Sequence, residues 1–348
     1  MKAADGVEGI YALLDQIQAL NFARENIAAF GGDPSNITVF GESAGAINTL
    51  VLIASPRAKG LFQKAIVESG FLNELPLSSA ETQGASFVNA TGCPSTGDVA
   101  RCLRALSMNQ IIQASQKLSS VVLSSAGATI DGVVLKQGVL QTVQSGQAMP
   151  IPVLIGTNAE EMRTLLDAVV NLNPVFTESD YKMVLEAQYG QKAALVEVQY
   201  PVAKYLTPRI VLEEVLGDQL TQCPTRALTR AFNKFQPQTY RYVFSHVSMN
   251  PMLVQYGAGH GLELPYVFGT MSSLVYSAFE FDLSAQMRRY WASFATTGNP
   301  NIDAQPLWPT ATSDAYLDLN LAPAANANFH GDKKVCRRYG TFTCAREK

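Results

Sequence analysis

Ile37-Thr-Val-Phe-Gly-Glu-Ser-Ala-Gly45 is the stretch that decides the fold of this chain. Its β-branched and aromatic residues lead into Gly-x-Ser-x-Gly, and a small, apolar segment suited to a helix follows over 44–54. In this strand–turn–helix order, the pentapeptide marks Ser43 as a nucleophile on a tight turn. Gly41 and Gly45 are predicted to leave room for that turn. A chance match is the alternative, and the flanking strand and helix argue against it.

The composition limits the class of protein. A chain of 348 residues, 47% of them hydrophobic, can bury a large core and is long for one domain but short for two. The net charge is −3 and the lysines and arginines are scattered, which argues against a nucleic acid or an anionic membrane as a partner. The sequence contains no apolar run as long as a transmembrane segment, and its first residues do not follow the signal-peptide pattern.

Short apolar strands alternate with helical segments along the chain. The predicted strands are 37–40, 64–67, 152–155 and 240–244, and the clearest predicted helices are 7–30 and 283–297. This alternation indicates a mainly parallel sheet in an α/β fold. We predict a single domain over 1–348, with a helical cap built from two insertions at about 71–145 and 170–236.

The five cysteines carry information about the redox compartment. Cys93 lies close to Cys102, and Cys336 lies close to Cys344, with turn-forming residues between the members of each pair. This spacing predicts two disulfides and leaves Cys223 unpaired. Five reduced cysteines in a cytosolic protein are the alternative.

A serine nucleophile needs a base, and the chain offers three histidines. His260 stands in Gly-Ala-Gly-His-Gly after the fourth predicted strand, where glycines let the backbone carry an imidazole to the top of the sheet. It is therefore the candidate base. His246 ends a strand and is expected to be structural. His330 lies in a polar tail and is expected to be solvated.

The orienting acid should follow the third predicted strand if the order is serine, acid, histidine. Glu160 and Glu161 occupy that place. Two adjacent acids also suit the solvated first turn of a helix, because carboxylates are favoured there. The spacing alone leaves the choice between the two glutamates open.

Longer stretches around these residues resemble the type B carboxylesterases, the family of the cholinesterases, bacterial para-nitrobenzyl esterases and fungal lipases. The resemblance runs over nearly the whole chain. Its main matching stretches are Phe-Gly-Gly-Asp-Pro at 30–34, Gly-Glu-Ser-Ala-Gly-Ala at 41–46, Ser-Pro at 55–56, Gly-Leu-Phe at 60–62, Ser-Gly at 69–70, Asp-Gly at 131–132, Gly-Thr-Asn at 156–158, His-Gly-Leu-Glu-Leu-Pro-Tyr-Val-Phe-Gly at 260–269, Tyr-Trp-Ala-Ser-Phe-Ala at 290–295 and Gly-Asn-Pro-Asn at 298–301.

This resemblance implies an α/β-hydrolase fold with helical cap insertions and a serine carboxylic-ester hydrolase that works through an acyl-enzyme. It implies a small-molecule or lipid ester as substrate and no metal or organic cofactor. The family's catalytic triad corresponds to Ser43, His260 and the second of the two acids, Glu161. Met162 stands where the family usually has glycine.

Further roles follow from the same resemblance. The backbone N–H of Ala44 is expected to serve the oxyanion hole. Glu42, beside the nucleophile, and Ser69, at the end of the next strand, are expected to support the site from behind. A purely structural, hydrogen-bonded role is an equal alternative for Glu42.

The resemblance also bears on the compartment. It implies the bridge between Cys93 and Cys102, and it implies a secreted or extracytoplasmic protein. Asn89 is then a candidate glycosylation site in Asn-Ala-Thr. A second sequon at Asn36 is expected to be buried.

One departure from the family pattern concerns the oxyanion hole and the sheet. The chain contains no His-Gly-Gly loop, which in the family supplies two further oxyanion donors, and it lacks the family's N-terminal strands. We expect weakened turnover, since each donor contributes about 10²–10³. We also expect 37–40 to be an unprotected sheet edge, with an uncovered apolar face on helix 7–30, so that the chain self-associates. A catalytically inactive or binding-only member of the family is the competing class.

Overall fold

The computed structural model describes residues 9–118, 127–169 and 175–326. Cys336, Cys344 and His330, which carry two of the expectations above, lie outside the described residues. Eight strands are described: β1 Thr38–Glu42, β2 Lys64–Glu68, β3 Glu74–Pro76, β4 Ala128–Ile130, β5 Val153–Asn158, β6 Thr239–Phe244, β7 Tyr316–Leu319 and β8 Ala324–Asn326.

Helices fill most of the sequence between the described strands. They are α1 Tyr11–Asn26, α2 Ala44–Ala54, α3 Leu77–Thr91, α4 Val99–Ala105, α5 Met108–Leu118, α6 Val139–Gln144, α7 Met162–Val169, α8 Glu178–Tyr189, α9 Ala193–Gln199, α10 Pro208–Gly217, α11 Cys223–Phe232, α12 Leu264–Phe268 and α13 Ala278–Thr297. A π-helical turn, Asp218–Gln222, joins α10 to α11.

The main sheet within the described ranges has the strand order β1-β2-β5-β6-β7-β8. Its first five strands run parallel, and β8 pairs antiparallel to β7. Strands β2, β5 and β6 are buried along their whole length because helices cover both faces. The predicted α/β architecture with a mainly parallel sheet is confirmed.

Clusters of buried apolar side chains pack against both faces of the sheet. On one face, α1, α2, α6 and α11 bury apolar side chains such as Leu50, Val143 and Phe232. On the other face, α12 and α13 pack Tyr290 and Phe294 against β6. A third cluster of buried side chains lies among α7, α8, α9 and α10, beside the ends of the strands.

The four predicted strands coincide with β1, β2, β5 and β6, each within three residues of its predicted ends. The sequence analysis missed β7, β8 and the small parallel pair of β3 and β4. These strands are only three or four residues long, which is too short to show a period. None of the described helices is both long and apolar enough to cross a membrane.

The N-terminal helix is better covered than expected. Ile10, Leu13 and Ile17 are buried in the core beside α2, so the predicted uncovered apolar face is wrong for these positions. Phe22 and Phe30 are exposed. Strand β1 is the edge of the described sheet, with β2 as its neighbour.

The disulfide between Cys93 and Cys102 is confirmed, with 5.9 Å between the two Cα atoms. The prediction that Cys223 is left over is wrong, because Cys223 is disulfide-bonded.

The two glycosylation sequons are both on the surface. Asn89 is exposed near the end of α3, as a glycosylation site requires. Asn36 is also exposed, and its side-chain oxygen accepts a hydrogen bond from Lys64. The expectation that Asn36 is buried is therefore wrong, because β1 forms the edge of the sheet and its approach is open to solvent.

Candidate active site

A strained turn joins β1 to α2 and carries Ser43. The residue has φ 56° and ψ −118°, a left-handed conformation that a non-glycine residue seldom adopts. A Cβ on Gly41 would lie 2.5 Å from the carbonyl carbon of Gly45, so the turn requires glycine at position 41. A Cβ on Gly45 would meet open space, so position 45 does not need glycine for room, contrary to the prediction.

A histidine and a glutamate meet beside this turn. His260 lies in the loop after β6, and its Nδ1 is 2.7 Å from Oε2 of Glu161, which follows β5. The other oxygen of Glu161 accepts the backbone N–H of Asn158 at 2.8 Å. Glu161 is 1% exposed, so this carboxylate is held in one orientation away from water.

The neighbouring acid, Glu160, has a different position. Its Oε2 accepts the backbone N–H of Ala258 at 3.0 Å, and its Oε1 lies 3.4 Å from Arg163. Its own N–H donates to the carbonyl of Ala258. Glu160 therefore stabilises the loop that carries His260 through hydrogen bonds to its backbone, whereas Glu161 contacts the imidazole.

The second nitrogen of the imidazole faces the nucleophile turn. Nε2 of His260 lies 3.1 Å from Oε1 of Glu42, the residue before Ser43. The contact is not aligned as a hydrogen bond, and neither atom has a hydrogen-bond partner among the described residues. The Phe71 ring lies 5.6 Å from the imidazole and shields it on one side.

This contact has an electrostatic consequence. A neutral Nε2 lone pair that faces a carboxylate oxygen at 3.1 Å is repulsive, so a proton is favoured on one of the two groups. Burial raises the pKa of Glu42, and the charge of Glu161 adds to this, while His260 opposes it. Burial lowers the pKa of His260, but the hydrogen bond to Glu161 and the charges of Glu161 and Glu42 outweigh burial and raise it overall.

Two more carboxyl groups lie deeper behind the site. Burial raises the pKa of Glu68 to about 7, although the indole N–H of Trp291 donates a hydrogen bond to it. Burial also raises the pKa of Glu263 well above its ordinary value, and the charge of Glu161 adds to this effect. A neutral, protonated Glu263 suits this place, since ionising it would put a second negative charge beside Glu161.

Asn158, Glu68 and Glu263, which lie around the histidine–carboxylate pair, were not predicted from the sequence as part of the site. The side-chain amide of Asn158 donates to Glu263 and to the carbonyl of Gly259, and so ties the end of β5 to the histidine loop. The spacing could have indicated that two of them lie near the site, because Asn158 precedes Glu161 by three residues and Glu263 follows His260 by three.

The remaining predicted site residues lie near the same edge of the sheet. Ala44 is the first residue of α2, and the positive end of that helix lies at its N–H. Ser69 follows β2 with φ 54°, and its buried hydroxyl has no hydrogen-bond partner in the described ranges. His246 is buried elsewhere, 3.0 Å from Glu280, which fits the structural role expected for it.

A histidine–carboxylate pair beside a nucleophile turn, at the carboxyl ends of parallel strands, is the arrangement of the α/β hydrolases. Residues 2–337 match the model of the Carboxylesterase family, and the chain belongs to that family. The predicted family resemblance and the α/β-hydrolase fold are thereby confirmed.

Several curated proteins show about the same sequence identity to the chain. It is 31% identical to an acylcarnitine hydrolase of Rattus norvegicus in an alignment of 343 positions that covers 91% of this chain and 60% of the relative. It is 31% identical to a cocaine esterase of Homo sapiens, with 91% and 59% covered, and to carboxylesterase 4A of Bos taurus, with 93% and 64% covered. The chain thus spans about three fifths of the length of these relatives.

Proposed function

We propose that this chain is a serine hydrolase of carboxylic esters, with Ser43 as nucleophile, His260 as general base and Glu161 as the orienting acid. One observation carries the proposal: His260 is held by Glu161 through Nδ1 and presents Nε2 to the turn that bears Ser43. The names of the relatives, which include hydrolases and esterases, support the same class of reaction.

The reaction proceeds in two balanced steps. Nε2 of His260 takes the hydroxyl proton of Ser43 as Oγ attacks the ester carbonyl, and the tetrahedral intermediate then collapses and releases the alcohol, which receives that proton. Water, deprotonated by His260, attacks the acyl-enzyme and releases the acid. Glu161 stays ionised throughout, keeps the Nδ1 tautomer and stabilises the imidazolium that forms.

The developing oxyanion is stabilised by the N–H of Ala44 and by the positive end of α2. Each backbone donor of this kind contributes about 10²–10³ in turnover. The sequence contains no His-Gly-Gly segment, so we expect the chain by itself to turn over esters more slowly than proteins that use such a loop.

The direct test is covalent labelling with a fluorophosphonate probe, which reacts with activated serines and does not require fast turnover. We expect labelling of the folded chain that is lost in Ser43→Ala. Ser35→Ala is the matched control, because Ser35 is an exposed serine in the loop before β1 and should not affect labelling. Failure of the folded chain to label would favour the binding-only alternative.

The groups behind the nucleophile have a supporting role in this proposal. The carboxylate of Glu42, 3.1 Å from Nε2, adds to the effect of Glu161 in raising the pKa of His260, and the buried Ser69 hydroxyl lies at the end of the neighbouring strand. Small-molecule esters are the proposed substrates, and lipid esters are the alternative. Rates measured over a series of acyl chain lengths distinguish the two, because a lipid esterase should prefer long chains.

A secreted or extracytoplasmic location belongs to the same proposal. The disulfide between Cys93 and Cys102 supports it, because such bonds persist in oxidising compartments. Glycosylation of the exposed Asn89 would follow in a eukaryotic host. Mass spectrometry of the protein from its native source, before and after treatment with a glycosidase, tests both points.

We also propose that the chain self-associates through β1. This strand is the edge of the described sheet, and Phe40 on it is half exposed, with its ring 6.0 Å from that of the exposed Phe268. An edge strand with an apolar side chain favours pairing with a second strand. Sedimentation should show oligomers for the natural chain and a smaller species for Phe40→Lys. A monomeric natural chain would contradict the proposal.

A further inference from the structure

A cluster of three arginines lies around one carboxylate, away from the active site. Arg226 and Arg230 are one turn apart on α11, and Asp314 lies just before β7. Nη2 of Arg226 is 2.6 Å from Oδ2 of Asp314, and Nε of Arg230 is 2.6 Å from Oδ1. Arg241, on β6, interacts electrostatically with the same carboxylate. The cluster is enclosed between the sheet and α11.

The buried charges in this cluster do not balance. Arg226 is 3% exposed and Arg241 is 1% exposed, so both guanidinium groups are removed from water. Guanidinium groups stay protonated in proteins, so two buried positive charges, with a third on the half-exposed Arg230, face one negative charge. A buried charge without a counter-ion is strongly unfavourable, and natural proteins pair such groups.

The positive charge of Arg241 is only partly compensated by its neighbours. The pKa of Arg241 is lowered to about 10, mainly by burial. The charges of Arg226 and Arg230 also act to lower it, while those of Asp314 and Tyr316 raise it. The guanidinium group lies 5.5 Å from the ring centre of Tyr316 on the neighbouring strand. A cation–π contact of this kind is favourable, but it supplies no negative charge.

The hydrogen bonds of the two buried arginines are incomplete as well. Nε and Nη1 of Arg226, and Nε and Nη1 of Arg241, are buried and have no hydrogen-bond partner among the described residues. Four N–H-bearing nitrogens from two side chains therefore lack an acceptor. Buried N–H donors in native proteins nearly always have an acceptor, so four buried nitrogens without one need an explanation.

We propose that Arg226, Arg241, Arg230 and Asp314 form a binding site for a small inorganic anion of the size of chloride. A monatomic anion supplies the missing negative charge and accepts N–H groups from several directions without a required geometry. A compact ion is favoured over an oxyanion because the unpaired nitrogens are enclosed. Arg230, whose side chain is 51% exposed, provides the path from solvent.

This site is separate from the proposed catalytic residues. Arg241 is in the first half of β6 and Asp314 precedes β7, whereas Ser43, Glu161 and His260 lie beyond the carboxyl ends of their strands. The anion is therefore a structural ligand. Its binding can be tested without any measurement of ester hydrolysis.

The experiment measures thermal unfolding of the full chain as sodium gluconate is replaced by sodium chloride at constant ionic strength. We expect the midpoint to rise by about 3–4 °C when chloride exceeds its dissociation constant about 100-fold. Arg241→Leu removes one unpaired charge, so this variant should unfold at a midpoint that does not depend on chloride. Arg104→Gln, an exposed arginine on α4, is the matched control and should respond to chloride like the natural chain.

A second measurement keeps the proposal testable if Arg241→Leu does not fold. Crystals grown with bromide should give an anomalous peak within about 4 Å of the guanidinium groups of Arg226 and Arg241, a distance set by ordinary contact geometry. The proposal is overturned if bromide is found only on the surface, or if Arg241→Leu and the natural chain respond equally to chloride. A midpoint that rises with phosphate and not with chloride would overturn the choice of a halide.

Discussion

Replacing Glu161 by glutamine tests the proposed catalytic arrangement most directly. In the structure, Oε2 of Glu161 lies 2.7 Å from Nδ1 of His260, and Oε1 accepts the N–H of Asn158. Glutamine has nearly the same shape but no charge. Because its amide group can donate as well as accept, the variant loses both the charge that stabilises the imidazolium and the preference for the tautomer with a proton on Nδ1.

The size of the effect follows from this geometry. Two opposite charges whose centres are about 4 Å apart attract by about 4 kcal/mol at an effective dielectric constant of about 20. Since about 1.4 kcal/mol corresponds to a tenfold change in rate, loss of this attraction predicts a fall in kcat of about 10³. Loss of tautomer control adds to it, and comparable substitutions in serine hydrolases reduce kcat by about 10⁴. We expect Glu161→Gln to lower kcat by about 10³–10⁴.

The assay is hydrolysis of a para-nitrophenyl ester, supported by the rate of fluorophosphonate labelling, which remains measurable when turnover is slow. Glu160→Gln is the matched control. Its carboxylate contacts the backbone of Ala258 and the side chain of Arg163 rather than the imidazole, so kcat should change less than about fivefold. Similar losses in both variants, or a Glu161→Gln enzyme with more than about a tenth of normal activity, would refute the assignment.

Three further outcomes follow from the site and the fold. Glu42→Gln removes a negative charge 3.1 Å from Nε2 of His260, which lowers the histidine pKa. Because the proposed base is the neutral imidazole, the acid limb of the kcat/KM profile should move to lower pH, and an unchanged profile would contradict the contact. Gly41→Ala should destabilise the fold by about 1–3 kcal/mol or more in thermal unfolding, whereas Gly45→Ala should be tolerated, since the two added methyl groups meet a backbone and open space respectively. Alkylation without reductant should leave Cys223 unmodified, and its modification in the folded protein would show that it is not bridged.

The sequence predicted the long elements well because their patterns are strong. Strands β2, β5 and β6 are buried on both faces and read as short apolar runs, and α13 shows helical spacing over 20 residues. The short strands β7 and β8 were missed because three or four residues carry no period. The cysteine pattern was only half informative: close spacing identified the bond between Cys93 and Cys102, but the same reasoning left Cys223 unpaired, and Cys223 is disulfide-bonded.

The local sequence by itself indicated the tight turn that carries Ser43, because that turn requires glycine at position 41, where the backbone of Gly45 approaches. It also limited the base to three histidines. Spacing left the choice between Glu160 and Glu161 open, and only the family resemblance favoured Glu161. In the tertiary structure Glu161 contacts His260 and Glu160 does not, because adjacent carboxylates have the same local pattern and differ only in the direction that the chain gives them after β5. The cluster around Asp314 also depends on the tertiary structure. Its arginines lie on α11 and β6 and its carboxylate lies before β7, so these charges meet only when the chain is folded.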